Sequence, residues 1–218
     1  MERNKEMIKV WDPVVRIGHW TLVVAFFTAY FTEDDFLTQH VWAGYTVGVV
    51  VCLRLVWGFV GSKHARFTDF VRSPVFTKHY IGDLLGQRSK RYIGHNPAGG
   101  AMVVCLMLGL VGTTASGLML YAIEENAGPL SGWVQDDSSL AGSSLSMQQS
   151  KVDDHKRSRH SDDDEESGRA EFWEDIHEVF ANLTLLLVGL HIAGVLFSSY
   201  QHRENLIRSM FTGRKRKE

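Results

Sequence analysis

HEVFANLTLLLVGLH, residues His177 to His191, is the stretch whose reading decides how this chain is built. Between its two histidines it is almost wholly apolar, and the apolar run continues to Tyr200. The histidines stand fourteen positions apart. That is nearly four helical turns, so on a helix both rings leave the same face, ~21 Å apart along the axis. A helix of ~20 apolar residues crosses a ~30 Å hydrocarbon core, which places one histidine towards each membrane surface.

Three more runs have this character, so the set is Val14–Phe31, Val41–Gly61, Ala101–Ile123 and Val179–Tyr200. A mean hydropathy of -0.10 and a charged fraction of 22% suggest a soluble protein, but the charge is confined to a few stretches. Arg16 and His19 make the first run the least apolar. Its late start, without an Ala-x-Ala-like exit, argues against a cleaved signal peptide. The 218 residues have room for one domain. The expected fold is an all-α integral membrane protein, a four-helix transmembrane bundle. Cys52 and Cys105 fall inside the second and third spans, outside any Cys-x-x-Cys-His motif. Covalent c-type haem is therefore not expected, and both cysteines read as small buried hydrophobes.

The connecting segments set the orientation. The leader with Arg16, the loop between spans two and three, and the tail carry seventeen basic residues on one side. The other side has five: Lys151, Lys156, Arg157, Arg159 and Arg169. The positive-inside rule then puts both termini in the cytoplasm of a bacterial inner membrane. Residues 124–170 form the long outer segment. It is rich in Ser, Gly and Gln, then in Asp and Glu, with too few apolar residues to offset the entropy of ordering. It reads as a flexible, disordered acidic periplasmic loop between bundle segments 1–123 and 171–218. His155 and His160 within it read as part of a solvated charge run. In the cytoplasmic loop, Phe67, Phe70, Val71, Val75, Phe76, Tyr80, Ile81 and Leu84 recur at roughly helical spacing. A short interfacial helix interrupted at Pro74 is expected there, or else a docking surface for a partner. Internal repeats, Gly-rich nucleotide loops and basic nucleic-acid motifs are absent from the sequence, so no nucleic-acid partner is expected.

Given this topology, each histidine of the last span has a counterpart at its own depth. His19 enters span one from the cytoplasm, at the depth of His191. His40 opens span two from outside, at the depth of His177. Ionisable residues inside a membrane point to function by default. Paired neutral imidazoles in a bundle interior suit the two axial positions of a haem iron, so His19, His40, His177 and His191 are the expected metal ligands of two haems b. Two ligands per depth would leave a tetrahedral zinc shell half empty. Gly44 and Gly48 follow His40 at one and two turns, giving room for a flat macrocycle or a close helix contact. Arg54 lies fourteen positions after His40, on the same face in the inner leaflet. It can neutralise a haem propionate there or snorkel to the surface, and Arg16, one turn before His19, has the same two options.

These residues carry a resemblance. Val10-Trp11-Asp12-Pro13 with Arg16 and His19-Trp20, His40-x-x-Ala43-Gly44-Tyr45, Arg54-x-x-Trp57-Gly58-x-x-Gly61, Ala65-Arg66-Phe67, His95-Asn96-Pro97-Ala98-Gly99-Gly100, Asp175-Ile176-His177-Glu178 and His191 with Gly194 resemble the prokaryotic cytochrome b561 family. Within it the likeness is to the b-type cytochrome subunit of nickel–iron hydrogenases and its relatives. The resemblance implies a dihaem protein that passes electrons between the quinone pool and a partner at the other face. That partner would be a hydrogenase-like dehydrogenase or a c-type cytochrome. It implies two ligands on the last helix and one on each of the first two, again His177, His191, His19 and His40. A quinone is expected near the inner haem at His95 and Asn96, where Gly99 and Gly100 allow close approach; His95 can equally be an interfacial helix-start residue. Two other readings stay open. One is a quinone-coupled superoxide oxidase and the other a haem-containing anchor that docks a dehydrogenase. The long acidic outer loop departs from the family pattern and leaves the outer partner open.

Overall fold

The computed structural model describes residues 7–33, 36–86, 88, 90, 92–134 and 158–216, with side chains left undescribed for 85, 158–166 and 216. Residues 135–157 of the acidic outer segment, with His155, thus lie outside the described residues, as does the side chain of His160.

Among the described residues, four helices are long and apolar enough to cross a membrane. They are α1 (Pro13–Phe31), α2 (Leu37–Val60), α5 (Pro97–Glu124) and α6 (Ser158–Gln201), of which Ser167–Gln201 holds the candidate span. Two short helices, α3 (Phe67–Phe70) and α4 (Pro74–Leu85), lie between α2 and α5, and α7 (Leu206–Thr212) follows α6. Three of the four prolines, Pro13, Pro74 and Pro97, open helices, where a missing N–H costs nothing and the fixed φ helps. Pro74 therefore separates two helices in the segment between α2 and α5, with Ser73 capping the second.

Helix α1 matches its apolar stretch to within a residue, whereas α2, α5 and α6 begin earlier, because flanking residues continue a helix once a membrane segment has nucleated it. The largest difference is at α6. Residues Ser158–Ala170, expected to be loop, are helical. No proline interrupts the run from there to Gln201, and Glu and Ala are good helix formers.

The chain divides into two compact units, Met1–Val111 with Leu183–Glu218, and Gly112–Asn182. In the first, all four spanning helices contribute to one core. Ala25 and Phe26 of α1, Val47 and Val51 of α2, and Met107 and Leu110 of α5 are buried, with Leu185 and Val188 of α6 packed against them. Many large apolar side chains face outward instead, Phe59 at 74% and Val24 at 66% among them. Such a surface suits lipid. Cys52 and Cys105 lie on it too, exposed rather than buried as expected. An apolar solvent removes the reason to hide them.

The same unit ties the chain ends together. Strand β1 (Met7–Lys9) pairs antiparallel with β2 (Arg214–Arg216). Asp12 caps α1 through Val15 N–H at 2.9 Å, and its other oxygen accepts from the Trp57 indole at 3.1 Å and from the Ser62 hydroxyl. Partial burial pushes the Asp12 carboxyl up, but the bonds from Ser62, Val15 and Trp57 outweigh it and hold the group below its usual range.

In the second unit, the C-terminal part of α5 meets α6 along small residues. A side chain at Gly112 would collide with the Phe180 ring, and one at Gly117 would come within 2.8 Å of the His177 ring. Both glycines are needed for the close approach.

Candidate haem site

His19 on α1 and His191 on α6 come together in the first unit, ring centroids 6.5 Å apart and planes inclined at 54°. Each ring is half-buried, and Nδ1 of His19 is buried without a hydrogen-bond partner among the described residues. Arg54 reaches into the same unit with its guanidinium 5.3 Å from the Phe67 ring centre and 5.9 Å from that of Phe70. Its Nη1 is also buried with no hydrogen-bond partner among the described residues. Flanked by two aromatic rings, which cannot accept its hydrogen bond in full, a buried guanidinium nitrogen still needs an acceptor.

Arg16 is engaged elsewhere. Its Nε donates to the Met210 carbonyl at 3.2 Å and its Nη2 to that of Phe211, closing the last turn of α7. Gly213, at φ 74, completes this cap in the left-handed conformation that favours glycine.

His95 is wedged between Trp11 and Phe70, ring centroids 4.6 Å from each. Its Nδ1 is buried with no hydrogen-bond partner among the described residues. Burial, followed by the nearby Arg54 and Lys215 cations, pushes its imidazole down to about 3, so the ring is neutral at physiological pH. Asn96 is the N-cap of α5: its Oδ1 accepts from Gly99 N–H at 2.6 Å. Gly100 lets the start of α5 approach Phe70, whose carbonyl a side chain there would meet at 2.5 Å.

His40 and His177 belong to different units, and each has a defined tautomer. Nδ1 of His40 stands 2.9 Å from the Ala29 carbonyl. A carbonyl oxygen can only accept, so Nδ1 carries the proton and the lone pair is on Nε2. Nδ1 of His177 stands 3.0 Å from the Thr113 carbonyl and 3.1 Å from Ser116 Oγ, with the same consequence. Backbone acceptors of this kind fix the ring orientation of metal-binding histidines. One turn after His40, a side chain at Gly44 would meet nothing within 4 Å.

Sequence reasoning passed over Thr113, Ser116 and Gly117. Their signal is present, because Gly112 and Ser116 stand one turn apart on one helix face, with Gly117 beside them as a second small residue. Trp57 and Ser62 were also without a role, and their shared acceptor, Asp12, is remote in sequence.

A family model described as prokaryotic cytochrome b561 matches residues 10–213. Curated relatives include the probable Ni/Fe-hydrogenase B-type cytochrome subunits of Rhodobacter capsulatus and Azotobacter vinelandii. The first is 30% identical over 169 residues, covering 61% of this chain and 63% of its own length. The second is 30% identical over 166 residues, covering 61% and 68%. A like-named subunit from Rhizobium leguminosarum bv. viciae is 29% identical over 165 residues, covering 60% and 68%. The match thus spans less than two thirds of the Rhodobacter capsulatus relative. No solved structure matches.

Proposed function

The chain belongs to the prokaryotic cytochrome b561 family, and from that premise we propose that it is a dihaem membrane electron carrier between a quinone and a redox partner at the other face. Bound haem b supplies a one-electron iron couple; the chain's part is ligation, burial and charge compensation. His19 with His191, and His40 with His177, are the proposed axial pairs.

The observation that carries this reading is the gap between His19 and His191. Two metal–nitrogen bonds of ~2 Å, plus ~1 Å from each nitrogen to its ring centre, add to ~6 Å. The observed 6.5 Å fits one metal between the two rings. Among the described residues, no three His, Cys, Asp or Glu side chains gather to hold a metal by themselves. A metal held by two histidines needs further ligands, and a haem macrocycle would supply four of them. Arg54 supplies the cation for a propionate, and Arg16, its other N–H groups already turned to α7, is the lesser candidate. His95 and the Asn96 side-chain nitrogens are the proposed quinone contacts, since Asn96 Oδ1 is occupied by the cap.

Strand pairing of the two chain ends supports termini on one side, and the basic excess there supports the cytoplasmic face of the inner membrane. The names of the relatives favour a hydrogenase-type dehydrogenase as partner. One feature favours a basic c-type cytochrome instead: residues 124–175 hold fourteen acidic and five basic residues. Such a field speeds encounter with a cationic protein and is screened by salt. Deleting residues 135–167 should then slow exchange with a basic cytochrome and flatten its salt dependence.

The test of the main reading is a pyridine haemochrome assay with an electron paramagnetic resonance spectrum. Two low-spin haems per chain are expected. One haem per chain, or a high-spin spectrum at full loading, would refute it. Reduction by quinol without reaction with superoxide would separate the carrier from an oxidase, and failure of quinol to reduce it would indicate an anchor.

A further inference from the structure

Ser116 sits on α5 within the second unit, 2% exposed. Its hydroxyl donates back along α5 to the carbonyls of Gly112, at 2.8 Å, and Thr113, at 3.1 Å, which occupies the only proton it has. A purely structural serine needs nothing more. Yet its oxygen also stands 3.1 Å from Nδ1 of His177, across to α6. The Thr113 carbonyl at 3.0 Å obliges that nitrogen to carry its hydrogen, so the serine oxygen accepts from it. The His177 N–H is therefore shared between two acceptors. Gly117, next to Ser116, keeps clear the space that the ring needs.

We infer that Ser116 is a positioning residue for His177: it shares the Nδ1 hydrogen with Thr113 and thereby lowers the midpoint potential of the haem that His177 ligates. The inference rests on the proposed role of His177 as a ligand. Hydrogen bonding at Nδ1 moves the imidazole towards imidazolate and makes Nε2 a stronger donor. A stronger donor stabilises the oxidised iron more than the reduced iron. Nothing comparable is present at His19, whose Nδ1 is unpartnered among the described residues. The chain therefore treats its histidines unequally.

The experiment compares full-length protein with Ser116→Ala, Ser116→Thr, Ser116→Val and His177→Ala. Each is purified in detergent and followed by haem content, equilibrium redox titration and low-spin resonance positions. Ser116→Ala should keep both haems, because Thr113 still orients the ring. It should raise one midpoint potential and move the resonance of that haem alone. Threonine restores the hydroxyl and should return both readouts towards wild type, while valine, with threonine's shape and no hydroxyl, should behave as alanine does. Identical titrations for wild type and Ser116→Ala, or equal shifts for threonine and valine, would overturn the inference. His177→Ala keeps the two levels apart. Loss of one haem there upholds the ligand role whatever Ser116 does, whereas retention of both removes the premise.

Discussion

His19 and His191 face each other across 6.5 Å from the first and last spanning helices, so the chain must close on itself to form the pair. Either partner alone leaves half a site. His19→Ala and His191→Ala are each expected to lose one haem, and the same one, as judged by which redox transition disappears. His40→Ala and His177→Ala should both lose the other. If His19→Ala and His177→Ala emptied one common site, the pairing would be wrong.

Arg54 lies in the same unit as the His19–His191 pair and close enough to His95 to act on its charge, and its Nη1 has no hydrogen-bond partner among the described residues. A nearby positive charge disfavours the oxidised, more positive iron. Arg54→Gln should lower the inner midpoint potential by about 1 kcal/mol, roughly 40 mV for one electron. Arg54→Lys keeps the charge and should shift it less. An unchanged titration would leave Arg54 only its packing on Phe67 and Phe70.

His95 couples stability to pH. Its imidazole is held at about 3 in the fold against about 6.5 when unfolded. Between those values the unfolded chain binds a proton that the native chain does not, so stability rises with pH. The contribution is complete above about 6.5 and is lost on acidification, by up to about 1.4 kcal/mol per pH unit. Thermal unfolding in detergent should therefore fall more steeply below neutrality for wild type than for His95→Phe, whose ring fits between Trp11 and Phe70. Parallel slopes would mean that His95 is not kept neutral.

Much of this was open to reading in the residues. Apolar length marked four spans, and the fourteen-position spacing of His177 and His191 put them on one face before any fold was known. That His19 would meet His191 followed from topology alone. Arg16 was different: it sits one turn before His19, but its partners are carbonyls nearly two hundred residues away. Such contacts leave no local trace. Asn96-Pro97 has the form of a helix start, yet the capping role of Asn96 competes with a ligand role that composition cannot separate from it. Hydropathy also missed the extension of α6 back to Ser158, because it measures what lipid tolerates rather than where a helix ends.

Asp12 holds together elements far apart in sequence, and its loss should be felt as stability. One oxygen caps α1 at Val15, and the other gathers Trp57 from the end of α2 and Ser62 just beyond it. Asp12→Ala removes the cap and leaves the Trp57 N–H and the Ser62 hydroxyl without their acceptor. Water can reach part of this site, so the expected cost is about 1–3 kcal/mol. Asp12→Asn can keep the cap through its remaining oxygen but turns an N–H group towards two donors, and should fall between alanine and wild type. The carboxyl is held below its usual range, so its contribution is present above about pH 4 and is lost on acidification through the folded-state value. Acid unfolding in detergent should accordingly begin at higher pH for wild type than for a variant that lacks this group, once both are normalised to their stability at neutral pH. Equal melting of Asp12→Ala and wild type would show that the three bonds contribute nothing to the fold.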